Sequence, residues 1–345
     1  MNRTITAVAG LEAGHYTDLV NGTGCTVVLC REGAVGGVDV RGGSPGTRET
    51  NLLEPVRRVD RLFAVVLSGG SAFGLDAASG VMAYLEEQGL GFKVTSGVVV
   101  PIVSSAILFD LGLITAKVRP GPAEGRAACD AASTDPVEEG SVGAGTGATV
   151  AKTGGGKRAV KGGIGSYSLK LATGHVVAAV VAVNAIGGIW DYTTGQLVAG
   201  PRRDDGGFDD PVEVLLQATA PSGTSSHENT TIGIVATDAA LSREDTNYLA
   251  RVSHDGLAMT VRPCHTIRDG DTMFAMATGH NQDPANLTAL GAAAVEVTAQ
   301  AVLRGVQLAT GLGGIPSVSE LSGQSTHCHI ANHQTPRKTE MDGLI

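Results

Sequence analysis

The sequence predicts a mixed α/β domain in which short strands outnumber helices. Three observations carry this. Short apolar runs rich in β-branched residues recur along the chain, each closed by Gly or polar residues. Between them lie segments of helical period, the clearest being Leu287 to Leu308. Gly accounts for 49 of 345 residues, about twice ordinary usage, without the three-residue period of collagen. So much Gly indicates tight turns and close packing of elements.

In chain order, Ile5 to Gly10, Cys25 to Cys30, Gly36 to Val40 and Leu62 to Leu67 are expected to be strands. The next segment changes period. Leu75, Ala78, Val81, Met82 and Leu85 fall at helical spacing, with Gly89 placed to cap the C-terminus. Residues 120–140 hold Pro120, Pro122 and an acidic run, so a short helix over 125–132 passing into loop is expected. Strands follow at 148–151, 164–171 and 176–183, and 201–211 is a polar loop. Residues 221–229 (PSGTSSHEN) have almost nothing to bury and form the best linker in the chain. Thr230 to Ala239 is a strand with Ile232, Ile234 and Ala236 on one face and Thr231, Gly233, Val235 and Thr237 on the other. Ser242 opens a helix with Asp245 three residues on, and Leu249, Val252 and Leu257 give it a core face. A strand at 271–278 and the long helix complete the pattern, and a loosely ordered tail is expected over 311–345.

Composition excludes several classes. Net charge is −9 and no Lys/Arg-dense block appears, which argues against nucleic acid as a partner. The longest apolar run, Val176 to Val183, is far below the span of a bilayer, and no long apolar stretch follows Arg3, so neither a membrane span nor a signal peptide is expected. Five cysteines without a C-x-x-C pair read as thiols of a reducing compartment, and a cytoplasmic location is expected.

Several motifs bear chemistry. The loop Gly69–Gly74 precedes a helix and offers an anion cradle, although it lacks the G-x-S-x-G of a nucleophile elbow. Residues 145–158 combine Gly and Lys but not the Walker spacing. His327, Cys328, His329 and His333 match no standard zinc signature and read as a solvated tail. His227, His254 and His265 each read more readily as structural than catalytic when taken singly.

The informative element is HENTTIGIVATDA, residues 227–239. A cut before Thr230 would give that strand a free α-amine beside its own hydroxyl. An α-amine has a pKa near 8, so nucleophile and base would share one residue. Asn229–Thr230 could perform the cut itself, the hydroxyl attacking the preceding carbonyl and the ester then hydrolysing.

Seven blocks resemble the self-processing DmpA/NylC-type amidohydrolases over about residues 4–310: VDVRGGSPGTRETNLL (38–53), LSGGSAFGLDAASGVMAYLEEQG (67–89), VPIVSSAILFDL (100–111), GTGATVAK (145–152), VVAVNAIG (180–187), NTTIGIVATDA (229–239) and DGDTMFAMATG (269–279). The resemblance implies a four-layer α/β/β/α sandwich, one domain over 1–310, cut into residues 1–229 and 230–345. It implies Thr230 as nucleophile, Lys152 beside it, Asn184 at the developing oxyanion, and Asp269 and Asp271 positioning the new amine and the hydroxyl. It implies a small peptide or amide substrate and a homo-oligomer of cleaved protomers. Hydrolysis by an N-terminal nucleophile requires no metal and no cofactor, and none is expected. The aminopeptidase branch uses a serine nucleophile where this chain has Thr230. Two other readings remain open from sequence: an uncleaved, non-catalytic binding protein with the same fold, and an anion- or nucleotide-binding enzyme using Gly69–Gly74.

Overall fold

A computed structural model describes residues 2–94, 97–218 and 229–322. Nine strands build the main sheet: β1 (Glu12–Asp18), β2 (Thr23–Val40), β3 (Thr47–Arg48), β4 (Leu62–Ser68), β5 (Val103–Ile107), β6 (Gly163–Lys170), β7 (Val176–Asn184), β8 (Thr230–Ala239) and β9 (Thr272–Asn281). The helices are α1 (Ala77–Glu87), α2 (Pro122–Asp130), α3 (Pro211–Leu216), α4 (Arg243–Thr260) and α5 (Leu287–Gln307).

Strand order is β6-β7-β8-β9-β2-β4-β5-β3, with β1 also on β2. The sheet is two leaves hinged on the long strand β2. Its first half pairs with β4 from Cys25↔Ser68 to Leu29↔Ala64, and the register then shifts before Ala34↔Leu62. Its second half, Val35 to Val40, pairs instead with β9. A register shift in a strand increases local bend and twist, and here it lets the two leaves face each other.

The alternation of side chains shows the layers. Ile232, Ile234 and Ala236 of β8 and Ala178, Val180 and Ala182 of β7 pack with Val28, Val65 and Leu67 of the other leaf. The intervening residues Val235, Val177, Ala179 and Val181 pack against Leu249 and Leu257 of α4 and Leu290, Val297 and Val302 of α5. On the far side, Val27, Leu29, Ala64 and Val66 meet Ala78, Val81 and Leu85 of α1 and Ala128 of α2. The arrangement is the expected α/β/β/α sandwich, with three apolar interlayers built almost without aromatics. Glycine sets how closely α5 lies on β6: a Cβ at Gly165 would stand 2.1 Å from the Ala301 carbonyl oxygen and 2.3 Å from the Gly305 nitrogen. By length and composition α5 would suit a bilayer span, but it is mostly buried against β6 and β7.

Three local expectations change. Residues 5–7 form a 3₁₀ turn instead of a strand. Ile5, Val8 and Leu11 are buried at a three-residue spacing, and the Ile5 N–H donates to Ser166 Oγ at 2.8 Å. At 148–151 only Thr149 and Val150 pair as strand, with Val160 and Lys161. Ala151 turns out of it in the left-handed region, φ 59°. Residues 311–322 do not trail away: the Lys161 N–H donates to the Pro316 carbonyl at 2.8 Å and Ser317 is buried. Residues 323–345, with His327, Cys328, His329 and His333, lie outside the described residues, as do linker residues 221–228 and His227.

Candidate active site

Four separate segments, 149–152, the end of β7, 229–231 and 265–271, meet where β8 begins. Thr230 is the cross-strand partner of Asn184, the last residue of β7. Its hydroxyl is only 3% exposed as part of the residue, so it faces protein and not bulk solvent. Thr230 Oγ1 donates to the carbonyl oxygen of Asn229 at 2.5 Å. That oxygen also accepts the Gly270 N–H at 2.8 Å. The carbonyl just before Thr230 therefore carries one hydroxyl and one backbone amide.

The neighbouring sheet opens at this point. Strands β8 and β9 pair in parallel from Ile232↔Thr272 onward, and Asn229↔Asp269 form a bridge at the same offset of 40 residues. Between these contacts the ladder is interrupted, and the Thr231 N–H donates to the carboxylate Oδ1 of Asp271 at 2.7 Å. Gly270 must be glycine here, because a Cβ would stand 2.9 Å from Thr230 Oγ1 and 2.7 Å from the Ser44 carbonyl oxygen.

Asn184 and Lys152 form one unit. Lys152 Nζ donates to the Asn184 backbone carbonyl at 3.0 Å and to its Oδ1 at 2.9 Å. The Thr149 N–H donates to the same Oδ1 at 2.9 Å. Two donors on one atom assign it as the amide oxygen and orient the side chain. Nδ2 then donates to the Phe109 carbonyl at 3.0 Å, which leaves it a second N–H. Lys152 reaches this place because Ala151 adopts its left-handed conformation, while the Ala151 and Lys152 N–H groups donate to the Gly187 and Ile186 carbonyls. Strain of that kind persists where surrounding bonds fix it. Burial pulls the Lys152 ammonium down to about 7, and Asp269 partly opposes this.

The DGD turn supplies the acids. Burial, with Asp271 beside it, pushes the Asp269 carboxyl up, against the Thr266 hydroxyl and N–H and the charge of Lys152. Asp271 is bound through Oδ2 by both the backbone N–H of His265 at 2.9 Å and its Nδ1 at 2.8 Å. All five residues singled out from sequence (Thr230, Lys152, Asn184, Asp269, Asp271) thus converge. Sequence reasoning missed the Gly270 N–H, although a glycine between two acids signals close backbone approach. It also passed over His265, which lies four residues before Asp269.

A cleft of about 440 Å³ opens beside Lys152, walled by Phe109, Leu113, Ala159 and Ile315 with Thr149 and Lys157. The Gly69–Gly74 loop serves a different end. Its Gly70 N–H donates to Asp110 Oδ1 at 2.7 Å, and Asp110 also accepts the Thr23 hydroxyl. The chain's own carboxylate occupies the donor that an anion would use. Just past the 145–158 segment, Lys161 donates to the carbonyls of Gly145, Ala148 and Gly162 at 2.7–2.9 Å, holding the turn that leads to Thr149. Among the described residues no group of three or more His, Cys, Asp or Glu side chains is arranged to hold a metal ion.

The family model described as peptidase family S58 matches residues 3–318. The chain belongs to that family. It is 42% identical to an uncharacterized aminopeptidase of Mycobacterium tuberculosis strain H37Rv, over 92% of this chain and 97% of the relative. It is 32% identical to a 6-aminohexanoate-oligomer endohydrolase of a Kocuria species, over 84% and 82%. Among solved structures, a Burkholderia β-aminopeptidase superposes with a TM-score of 0.68, covering 95% and 94% at 22% identity. The L-aminopeptidase D-Ala-esterase/amidase of Ochrobactrum anthropi, described as a variant of the Ntn hydrolase fold, gives 0.67 with the same coverage at 19% identity. The S58 family and these relatives make the chain a hydrolase of amide bonds on an Ntn-type fold.

Proposed function

We propose that this S58 chain cuts its own Asn229–Thr230 bond and then hydrolyses small amides through an acyl-enzyme on Thr230. The observation that carries the reading is the placement of Thr230 Oγ1 on the Asn229 carbonyl, with the Gly270 N–H on the same oxygen. Attack of Oγ1 on the Asn229 carbonyl carbon forms a C–O bond and breaks the C–N bond. The proton leaves Oγ1 for the departing nitrogen, and water hydrolyses the ester. The products are residues 1–229 with a new carboxylate and residues 230–345 with a free α-amine. The Gly270 N–H stabilises the oxyanion of this step, a contribution of the kind worth about 100- to 1,000-fold in rate.

In the mature enzyme the α-amine takes the Oγ1 proton as the hydroxyl attacks a substrate carbonyl. The free N–H of Asn184 Nδ2 meets the oxyanion. Lys152 has two N–H groups engaged on Asn184 and so orients that amide; in the self-cleavage step, before an α-amine exists, its neutral amine takes the Oγ1 proton on its lone pair and returns it to the departing nitrogen. Asp269 and Asp271 hold the α-ammonium. The leaving amine departs protonated, and water releases the acyl group. Small peptides, amino-acid amides or short ω-amino-acid oligomers are the substrate class, in keeping with the relatives called aminopeptidase and 6-aminohexanoate-oligomer endohydrolase. A homo-oligomer of cleaved protomers in the cytoplasm belongs to the same reading. Cys25, Cys30 and Cys129 are buried free thiols, in keeping with a reducing compartment.

N-terminal sequencing of the purified protein tests this. Two N-termini are expected, one beginning TTIGIV. Thr230→Ala should leave one intact 34.9 kDa species with no amidase activity. A wild-type chain that stays intact, or an active Thr230→Ala protein, would return the non-catalytic or the anion-loop reading.

A further inference from the structure

Asp271 is held by more donors than a turn requires. Its Oδ2 takes two from a single residue, the backbone N–H and the Nδ1 of His265, which leaves Oδ1 aimed at the Thr231 N–H. His265 achieves this double grip from a left-handed backbone, φ 54°, a conformation uncommon for a residue with a Cβ. The strain lies next to the interrupted ladder and not at a chain reversal remote from it. Such strain persists only where the surroundings over-determine it.

The charges around the ring are one-sided. Asp271 and Cys264 face it, and together they outweigh burial and push the imidazolium up to about 10. On the other side the ring of His254 meets it edge-on at 4.8 Å. His254 is buried, donates Nε2 to the Asp39 carbonyl, and is held neutral by that burial. The Asp39 carboxylate behind it is bound by Arg41 at 2.7 Å. On the turn itself, Asp269 sits beside Asp271, and beyond it lies Lys152. His265 is thus the cation directly paired to the Asp271 carboxylate.

We propose that His265 is a positioning residue acting through Asp271: it fixes the carboxylate on the Thr231 N–H and supplies the positive charge that faces the Asp269–Asp271 pair. The proposal rests on the Thr230 reading. Its role divides into two parts, a hydrogen bond that sets geometry and a positive charge that favours proton loss from Asp269 and from Lys152 beyond it. Asparagine can keep the first, since its amide N–H sits near the position of Nδ1 and it tolerates a positive φ. It cannot keep the second.

The test is the rate of self-cleavage from pH 5 to 9, followed on gels after cell-free synthesis of the full chain, so that no external substrate is needed. His265→Ala should slow cleavage about tenfold or more at its plateau and move the acid limb upward by about one pH unit. His265→Asn should recover the plateau to within about threefold, because the hydrogen bond returns. It should keep the displaced limb. A role in folding alone predicts slow cleavage with an unmoved limb. The proposal is overturned if His265→Ala follows the wild-type profile, or if the Asn limb coincides with wild type; the second readout stands even where the Ala protein does not fold. An uncut wild type, or a cut Thr230→Ala chain, defeats the Thr230 reading and this one with it. A wild type that cuts while both His265 variants match it defeats this one alone.

Discussion

Replacing Gly270 by Ala tests the self-cleavage geometry more sharply than removing the nucleophile. The added Cβ would stand 2.9 Å from Thr230 Oγ1, 2.7 Å from the Ser44 carbonyl oxygen and 3.2 Å from the Cα of Pro45. Ser44 cannot easily retreat, because its own N–H is bonded to the Asp269 carbonyl at 2.9 Å. One relief moves Thr230 Oγ1 outward to an ordinary contact of 3.4 Å or more, a displacement of at least 0.5 Å (3.4 − 2.9). A misplacement of about 1 Å can cost about 100-fold, so half of that costs about tenfold. The other relief withdraws the turn and lengthens the Gly270 N–H contact to Asn229. Loss of one oxyanion donor costs about 100- to 1,000-fold. Self-cleavage should therefore slow between about tenfold and 1,000-fold, measured as the decay of the intact 34.9 kDa band after a pulse of cell-free synthesis. Overpacking should also lower stability by about 1–3 kcal/mol. That effect is separated by comparing melting of Gly270→Ala with Thr230→Ala in a common uncut background. Cleavage of Gly270→Ala within twofold of wild type would refute the reasoning, since it would mean that this contact does not set the reacting geometry.

Three further outcomes are expected. Asn184→Ala should lower kcat of the processed enzyme by about 100- to 1,000-fold with a much smaller effect on KM, read from steady-state hydrolysis of an amino-acid p-nitroanilide. The wild-type self-cleavage rate should rise as pH passes about 7, where Lys152 loses its proton, and Lys152→Met should remove that limb and slow the reaction by about 100-fold. Because burial lowers the His254 imidazolium from its ordinary 6.5, the unfolded chain binds the extra proton first as pH drops below that value. Stability should thus fall with acidification below pH 6.5, and His254→Gln should flatten that part of a urea-unfolding pH series.

How far the sequence reaches depends on what each residue is bonded to. Strand β8 was legible to the residue, because Ile232, Ile234 and Ala236 alternate cleanly with residues of the opposite face and both faces are buried. The start of α4 was legible too, since Ser242 accepts the Asp245 N–H in the way its capping pattern implies. Ile5 to Gly10 misled because a short apolar run has no period of its own; tertiary bonds to Ser166 decided it. The candidate site is a harder case. Lys152, Asn184 and Thr230 are distant in sequence and nothing local links them, so only the family resemblance placed them together. His265 and the Gly270 N–H were missed for a related reason. Their role lies in a left-handed φ and a backbone amide, neither of which residue identity displays.

On the proposed reading, the cut and the later catalysis share one site at the interrupted ladder. Regular parallel pairing would bond the Thr231 N–H to the backbone carbonyl of Gly270. Instead the contact at Asn229↔Asp269 closes below the peptide and Ile232↔Thr272 closes above it. In the gap the Thr231 N–H meets the carboxylate of Asp271, while the Gly270 N–H on the Asn229 carbonyl belongs to the Asn229↔Asp269 bridge and keeps that carbonyl in place. Below the break, strand β7 still fixes Thr230 against Asn184, so the hydroxyl does not wander. On the proposed reading, scission would release an amine near Asp271, whose carboxylate already meets the Thr231 N–H, and would free a carbonyl position beside an amide already oriented by Lys152 and Thr149. Little of the binding machinery must be built after the cut, which is the condition for a preorganised site.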